Sequence, residues 1–524
     1  HSRAQIPLKC SNVVTFDSKS HSIHYADKFF CLCVSGASSW YKLVHSFFKI
    51  ISLHQISSLF NICLSNKCHA TKQYYEKVLN KLIIHFSLFR ILIFIILFLM
   101  MFLISPNSFL MAKKFNGIKQ LSEDDFRPTQ ENRVKLGRFL FYDKILSGNL
   151  NISCGSCHHH SLHGTDGLSL GVGEGGSGIG LKRSSGKNNS RIKKRIPRNS
   201  PALFNLGAQE IKLLLYDGRI AFGEEYENGF NSPAEEWLHQ GVENLLAAQA
   251  LLPMASEFEM AGNTGENEVA GAIYDRIDLG WPIIAKRVRV IPEYGRFFVD
   301  AFDDVTDPTQ VNISHIANAL SEFINFEWRS YDSPFDYYLK GDEDALSSKQ
   351  KRGMRLFFGK AQCSQCHNGK LFSDQKFYAI GLPQFGPGRT RIMDPYVRDV
   401  GRMGETDNLE DAYRFRTQSL RNVAVTAPYG HNGSYSTLEG IIRHHLDPTH
   451  ALENWDSSQV ILPKAEWLED IDFVVLDDRL ERERLKSSID IEPVNLTPDE
   501  ISELVTFMHG LTGKESIWGK LGRP

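Results

Sequence analysis

Two short strings carry chemistry that can be read directly from the chain: Cys154-x-x-Cys157-His158 and Cys363-x-x-Cys366-His367. In such a unit the two thiols add to the vinyl groups of a haem while the adjacent imidazole turns onto the iron. One short turn therefore sets covalent anchoring and axial ligation together. With 9 cysteines and 19 histidines in 524 residues, composition predicts roughly 0.006 such strings by chance, so two are not accidental. The competing chemistry is zinc, which cysteine and histidine pairs also bind. A zinc reading must explain why histidine directly follows both pairs, and no other cysteine lies beyond Cys68 to complete a thiolate-rich site. The expected cofactors are two covalently attached haem c groups.

The elements that must position these strings read as helices joined by long loops, with only short β segments. Asn132 to Phe141 is a helix candidate leading into the first string. Ile313, Ile316, Leu320 and Ile324 fall at helical spacing. Ser347 with Gln350 forms a capping-box pattern that opens a helix through Phe358 and delivers the chain to the second string. Thr497-Pro498-Asp499-Glu500 caps a last helix that puts Ile501, Leu504, Val505 and Met508 on one face. A haem string after a helix in each half predicts a mainly α fold of two cytochrome c-like domains, residues 115–325 and 326–524, with the chain ends free to cross between them.

Composition adds bounds rather than direction. A content of 42% hydrophobic and 23% charged residues is ordinary for a globular protein, and the net charge of −2 favours no class of partner. Residues 1–80, with scattered Ser, His and Cys and no sustained periodicity, read as an unstructured or non-native leader. Residues 81–112 contain fourteen uninterrupted apolar residues, ILIFIILFLMMFLI, after Lys81 and Arg90, which predicts a signal peptide or a membrane anchor. The expected location is periplasmic or exported, with anchoring to the inner membrane left open. Between Lys182 and Arg198 stand eight Lys or Arg and no acid. This is neither a phosphate loop nor an aromatic-interleaved nucleic-acid surface. It reads as a solvated flexible loop or as a docking surface for an acidic electron donor.

The series LGRFLFYDKILSGNLNISCGSCH, TDGL, PRNSPALFN, YDGR, QALLPMASEFEM, CSQCHNG and FRTQSLRNVAVTAPYGHNG, followed by the helix through His445, resembles the bacterial diheme cytochrome c peroxidase family, which includes the methylamine-utilisation diheme enzyme. The likeness covers about residues 117–515. It implies a peroxide-reactive haem in the N-terminal domain and an electron-transfer haem in the C-terminal one. It also implies that Glu259 is the acid/base helping to cleave the O–O bond and that Gln249 orients peroxide or its water. Read without the family, both are polar residues beside an apolar run. Many members carry a blocking histidine sixteen residues after the proximal one; here that position is Glu174, so the first haem is expected to be open or water-bound. His159, His160 and His163 are assigned surface or loop roles.

At the second haem the resemblance places His445 as sixth ligand, with His444, Met393 and Met403 as alternatives. Tyr216 stands where the peroxidases carry an inter-haem tryptophan, so it is either an electron relay or a packing residue. Arg416 and Arg421 are expected to compensate haem propionates, and His431 to be structural. Asn199, Thr426 and Pro428 match the family's interdomain calcium site, implying one calcium ion. Extra length at Gly175–Arg195, Ile220–Asn244 and after Gly262 leaves the substrate route open.

The leading function is a cytochrome-c peroxidase-like oxidoreductase. It would reduce hydrogen peroxide to water through a ferryl state at the N-terminal haem, with electrons from a small cytochrome c or cupredoxin. The alternatives are a diheme enzyme using the same oxidising state on a protein or organic substrate, and a non-enzymatic diheme electron carrier. No nucleic acid partner is expected, and a homodimer is neither required nor excluded by the sequence.

Overall fold

The computed structural model describes residues 118–390 and 397–524. The leader at 1–80, the apolar segment at 81–112 and Met393 lie outside the described residues. Six helices carry the argument: α1 Glu131–Tyr142, α2 Leu245–Met254, α3 Ile313–Glu327, α4 Ser348–Phe358, α5 Leu438–Leu446 and α6 Pro498–His509. Strands are short. β1 Leu213–Leu214, β2 Ile220–Phe222 and β3 Phe230–Asn231 form an antiparallel sheet, with Leu214 opposite Ile220 and Phe222 opposite Phe230. β4 Phe377–Tyr378 pairs with β5 Phe415–Arg416. Among the described residues no helix is long and apolar enough to cross a membrane.

The two halves repeat one construction. In the first, α1 buries Val134, Leu136, Leu140 and Phe141, and α3 is buried on nearly every side. They cross at Gly137, where a Cβ would lie 1.9 Å from the Ala319 carbonyl oxygen. In the second, α4 and α6 cross at Gly353, where a Cβ would lie 1.9 Å from the Glu503 carbonyl oxygen. A glycine in each opening helix thus lets its backbone touch the closing helix, a distance no other residue permits. Both capping boxes form. The Gln350 amide donates to Ser347 Oγ and Ser347 N–H to Gln350 Oε1; Glu500 and Thr497 exchange the same pair. Ile501, Leu504 and Met508 are buried as the periodicity predicts, Val505 is half-buried, and Phe507 joins the buried face.

Two main apolar cores result, one spanning residues 121–328 with Leu371, the other spanning 335–511 with partly buried Ile118 packed against it. The chain ends do cross. Arg138 donates to the carbonyl oxygens of Leu521, Gly522 and Arg523, and Ile517 packs on the first core. A smaller cluster of Leu168, Val172, Ile192, Ala465 and Leu468 fastens the 166–195 loop to the second half. The solvated-loop expectation for Lys182–Arg198 holds for Lys182, Lys187, Arg191, Lys193 and Lys194, which are exposed, and not for the other three basic residues. Arg183, Arg195 and Arg198 are buried, and Arg195 forms a two-pronged pair with Asp472 at 2.9–3.0 Å. Arg195 and Arg198 staple the halves together, Arg198 through Asp399, while Arg183 fastens its own loop through the carbonyls of Val172, Gly173 and Gly178.

Candidate functional site

The same turn is built at both strings. The His158 amide donates to the Cys154 carbonyl and the His367 amide to the Cys363 carbonyl, each at 2.9 Å. None of these four cysteines is paired in a disulfide. His158 Nδ1 meets the Gly164 carbonyl oxygen at 2.9 Å, and His367 Nδ1 meets that of Phe372 at 3.0 Å. A carbonyl can only accept, so each imidazole carries its proton on Nδ1 and keeps the Nε2 lone pair for a metal. Burial lowers the pKa of both, with His445 as the second cause for His367, which falls to about 4. Both rings are therefore neutral at ordinary pH, as ligation would require. Among the described residues no three His, Cys, Asp or Glu side chains converge as a metal-ion cage would, so the cysteine pairs are not arranged as zinc ligands. The donor set fits covalently bound haem.

The second string faces another imidazole. His445 on α5 presents its ring to His367 with centroids 6.4 Å apart, and its Nδ1 is occupied by the Ile441 carbonyl at 2.9 Å. His444 is committed elsewhere. Its Nε2 donates to the Ile380 carbonyl at 2.6 Å, and its Nδ1 accepts from the Tyr435 hydroxyl at 2.8 Å. Met403 lies in a short turn whose neighbour Arg402 is fastened to the carbonyls of Asp217 and Gly218.

Around the first string the surroundings differ. Gln249 sits half-buried on α2, and Glu259 lies in a single π-helical turn, Glu257–Ala261. That turn is gripped on two sides. Gly148 N–H donates to Met260 O at 2.8 Å and Glu174 N–H to Phe258 O at 3.0 Å. Gly173 comes so close that a Cβ would lie 2.0 Å from the Phe258 oxygen. Desolvation raises the pKa of Glu259 against the opposing pull of Arg219 and Arg389, and its charge is felt at Cys157. Glu174 accepts from the side chains of Asn149 and Asn151 at 2.9 and 2.7 Å, and its other oxygen is buried without a partner.

The neighbouring histidines correct one expectation. His159 binds Ser161, and His163 binds the Ile517 carbonyl and packs on Trp518. His160, however, is buried between Tyr142 and Glu327.

On the seam between the halves, Tyr216 is buried, its hydroxyl 3.4 Å from Asn199 Oδ1 and its carbonyl accepting from Arg416 N–H at 2.7 Å. Arg416 is buried with no carboxylate among its hydrogen-bond partners, which are Leu215 O and Gln418 Oε1; desolvation holds its pKa down to about 10. Among the described residues no carboxylate bonds its side chain, although the charge of Asp217 acts on it, so the guanidinium suits an acidic group. Arg421 gives one terminal nitrogen to Asp336 at 2.8 and 2.9 Å and keeps the other buried without a partner. His431 stacks on Phe415 at 3.6 Å with both ring nitrogens unpartnered. Asn199 is tied to Tyr216, the Leu168 carbonyl and the His431 carbonyl. Thr426 Oγ1 donates to Val423 O, and Pro428 follows a cis peptide. Sequence reasoning missed Asp166, fully buried with Oδ2 unpartnered and its pKa pushed by burial up to about 7. Its only signal was its place in TDGL.

The family model described as di-haem cytochrome c peroxidase matches residues 131–344. The cytochrome-c peroxidase IdrP1 of Pseudomonas sp. (strain SCT) is 30% identical over 335 residues, covering 60% of this chain and 72% of that protein. The methylamine utilization protein MauG of Methylorubrum extorquens is 28% identical over 320 residues, covering 61% and 70%. The crystal structure of the diheme peroxidase BthA from Burkholderia thailandensis shares the fold at a TM-score of 0.50 and 19% identity, covering 76% of this chain and 91% of that one. The repeated attachment turn, the two neutral imidazoles and these likenesses converge: the chain belongs to the di-haem cytochrome c peroxidase family.

Proposed function

We propose that this chain is a two-haem peroxidase reducing hydrogen peroxide to water, with residues 115–325 holding the peroxide-reactive haem and residues 326–524 the electron-transfer haem. The observation that carries the reading is the contrast between the two proximal histidines. His367 is matched by a second imidazole, whereas around His158 the other histidines are engaged elsewhere and a desolvated glutamate stands nearby. Cys154, Cys157 and His158 would hold one haem; Cys363, Cys366, His367 and His445 the other, with Arg416 toward a propionate. Bound haem supplies the iron that takes up peroxide and the path by which two electrons return from a small redox protein.

The chain's own residues do the proton work. Glu259, ionised, takes the proton from the inner peroxide oxygen and returns it to the outer one, so that water and not hydroxide leaves. A raised pKa suits a group that must both accept and give a proton. Gln249 orients the peroxide. Gly164 holds His158 in the tautomer that can ligate. With two electrons and two further protons, one peroxide yields two waters. Asn199, Thr426 and Pro428 would hold one calcium ion at the seam, and Tyr216, buried there, would serve as the electron relay. Covalent haem attachment places the mature protein outside the cytoplasm.

A second reading, oxidation of a protein or organic substrate, is favoured by Glu174 at the position of the blocking histidine and by the His367–His445 pair, since a second imidazole lowers the potential relative to thioether ligation. Ferric EPR and steady-state peroxide consumption separate the cases. One high-spin and one low-spin haem with rapid oxidation of a reduced small cytochrome supports the peroxidase. The same spectra with no turnover of any small redox protein favours the second reading. Two low-spin haems indifferent to peroxide would overturn both and leave an electron carrier.

A further inference from the structure

Beside the first attachment turn lies a buried hydrogen-bonded chain that peroxide reduction does not use. The Tyr142 ring packs on Gly155, between the two haem-bearing cysteines, so closely that a Cβ there would lie 2.4 Å from the ring. Its hydroxyl meets His160 Nδ1, and His160 Nε2 meets Glu327 Oε1 at 2.5 Å. Glu327, fully buried, also accepts backbone N–H groups from Leu521 and Gly522 at 2.8 Å. The two backbone N–H groups can only donate, so the carboxylate oxygens of Glu327 are the acceptors here, Oε1 facing His160 as well as Gly522. His160 then donates from Nε2, so its Nδ1 is the acceptor for the phenol proton. Among the described residues the Tyr142 hydroxyl has no other partner.

We propose that Tyr142 is a redox-active tyrosine serving the first haem, with His160 as its proton acceptor and Glu327 as the anchor of that acceptor. The inference rests on the peroxidase reading for its oxidant, the peroxide-oxidised haem pair. When no donor protein arrives, Tyr142 gives one electron to that pair. Its hydroxyl proton passes to His160 Nδ1, leaving a neutral tyrosyl radical and an imidazolium paired with Glu327. One oxidising equivalent is thereby moved off the haem to a site the fold can hold. The proton must leave with the electron, because a buried phenol cation next to the haem would be strongly disfavoured. Burial, and secondarily the charge of Glu327, raise the phenol pKa, so the tyrosine waits as the neutral phenol. Trp328, whose ring centre lies 5.1 Å from that of His160, is the competing oxidisable group.

The test is EPR on the haem-loaded full chain, frozen after peroxide addition without donor and, separately, after flash oxidation by a photogenerated one-electron oxidant. The expected result is an organic radical with tyrosine hyperfine structure that narrows with ring-deuterated tyrosine. It is lost in Tyr142→Phe, and its formation shows a solvent deuterium isotope effect that disappears in His160→Gln. The thermal midpoint of each variant shows that the chain still folds. A radical under flash but none under peroxide supports the tyrosine site and counts against the peroxidase reading instead. A radical that persists in Tyr142→Phe with indole hyperfine structure, or none under either oxidant, overturns the proposal.

Discussion

The rings of His367 and His445 face each other with centroids 6.4 Å apart and planes at 59°, each with Nδ1 tied to a backbone carbonyl. Two neutral imidazoles so placed would suit a haem iron as its nitrogen ligands. The pair is preorganised because α5 holds His445 by its own Ile441 carbonyl while the Phe372 carbonyl holds His367. His444, one residue away, is turned inward and has both nitrogens occupied. One helix therefore separates two adjacent histidines into a ligand candidate and a packing residue.

Substitution distinguishes the two. In His445→Ala the low-spin signal of the second haem should convert to high spin, and in His445→Met it should remain low-spin with a raised reduction potential. His444→Ala should leave the spectrum alone and lower stability, because it strips the Tyr435 hydroxyl and the Ile380 carbonyl of their partner, at about 1–3 kcal/mol per buried group. Redox titration with EPR of both variants decides the matter; an unchanged spectrum in His445→Ala would sink the ligand assignment.

Glu259→Gln should lower peroxide turnover about 10²–10⁴-fold with both haem spectra intact. In the parent, kcat/KM should fall as pH drops through a value above the ordinary glutamate range, since desolvation raises this pKa and the ionised form is the proton acceptor. The stability effect has the opposite sense. The native state holds this proton more tightly than the unfolded chain does. The resulting penalty is absent below the unfolded pKa and fully present above the raised one. Glu259→Gln should therefore be more stable than the parent at neutral pH and show no gain in acid. Thermal midpoints at two pH values, beside the pH–rate profile, check both signs.

Much of the framework was legible because local signals agreed with tertiary need. The Ser347 and Thr497 caps, the spacing from Ile313 to Ile324 and the two attachment strings each depend on residues close in sequence. His160 was misread because its partners, Tyr142 and Glu327, come from helices on either side of it in the chain, and no periodicity joins them. Within the basic run from Lys182 to Arg198, the burial of Arg195 and Arg198 was not legible because their partners, Asp472, Asp217 and Asp399, are distant in sequence. The pairing of Arg421 with Asp336 was not legible for the same reason. Gln249 and Glu259 carry no local signature at all; only the resemblance pointed to them.

Gly137→Ala and Gly353→Ala test the repeated helix crossing. A methyl at either position meets a backbone carbonyl, which cannot swing aside as a side chain can. Overpacking of this kind costs about 1–3 kcal/mol or more. Each variant should unfold at lower temperature, and each should loosen the haem on its own side first. Calorimetry with separate EPR of the two haems reads this; equal perturbation of both haems by either variant would show that the crossings are not local supports.

Arg195 and Asp472, 277 residues apart in sequence, join the two halves. The guanidinium sits in a nearly closed environment, with Nε and one terminal nitrogen on the carboxylate and the other on the Pro463 carbonyl. Asp472 also follows Leu468, whose side chain closes the small apolar cluster with Leu168, Val172 and Ile192. Removing one member leaves a buried charge without its counterion, and the cost is about 3–5 kcal/mol. Replacing both by apolar residues, as in Arg195→Met with Asp472→Leu, should recover most of that loss, because the desolvation of two ions is removed along with their attraction. The expected order of thermal midpoints is parent and double variant high, Asp472→Ala and Arg195→Met low. Hydrogen exchange should show the 166–195 loop losing protection in the single variants while α1 and α3 keep theirs. A double variant as unstable as the singles would mean that the pair fixes the geometry of the seam through its hydrogen bonds and not through charge balance.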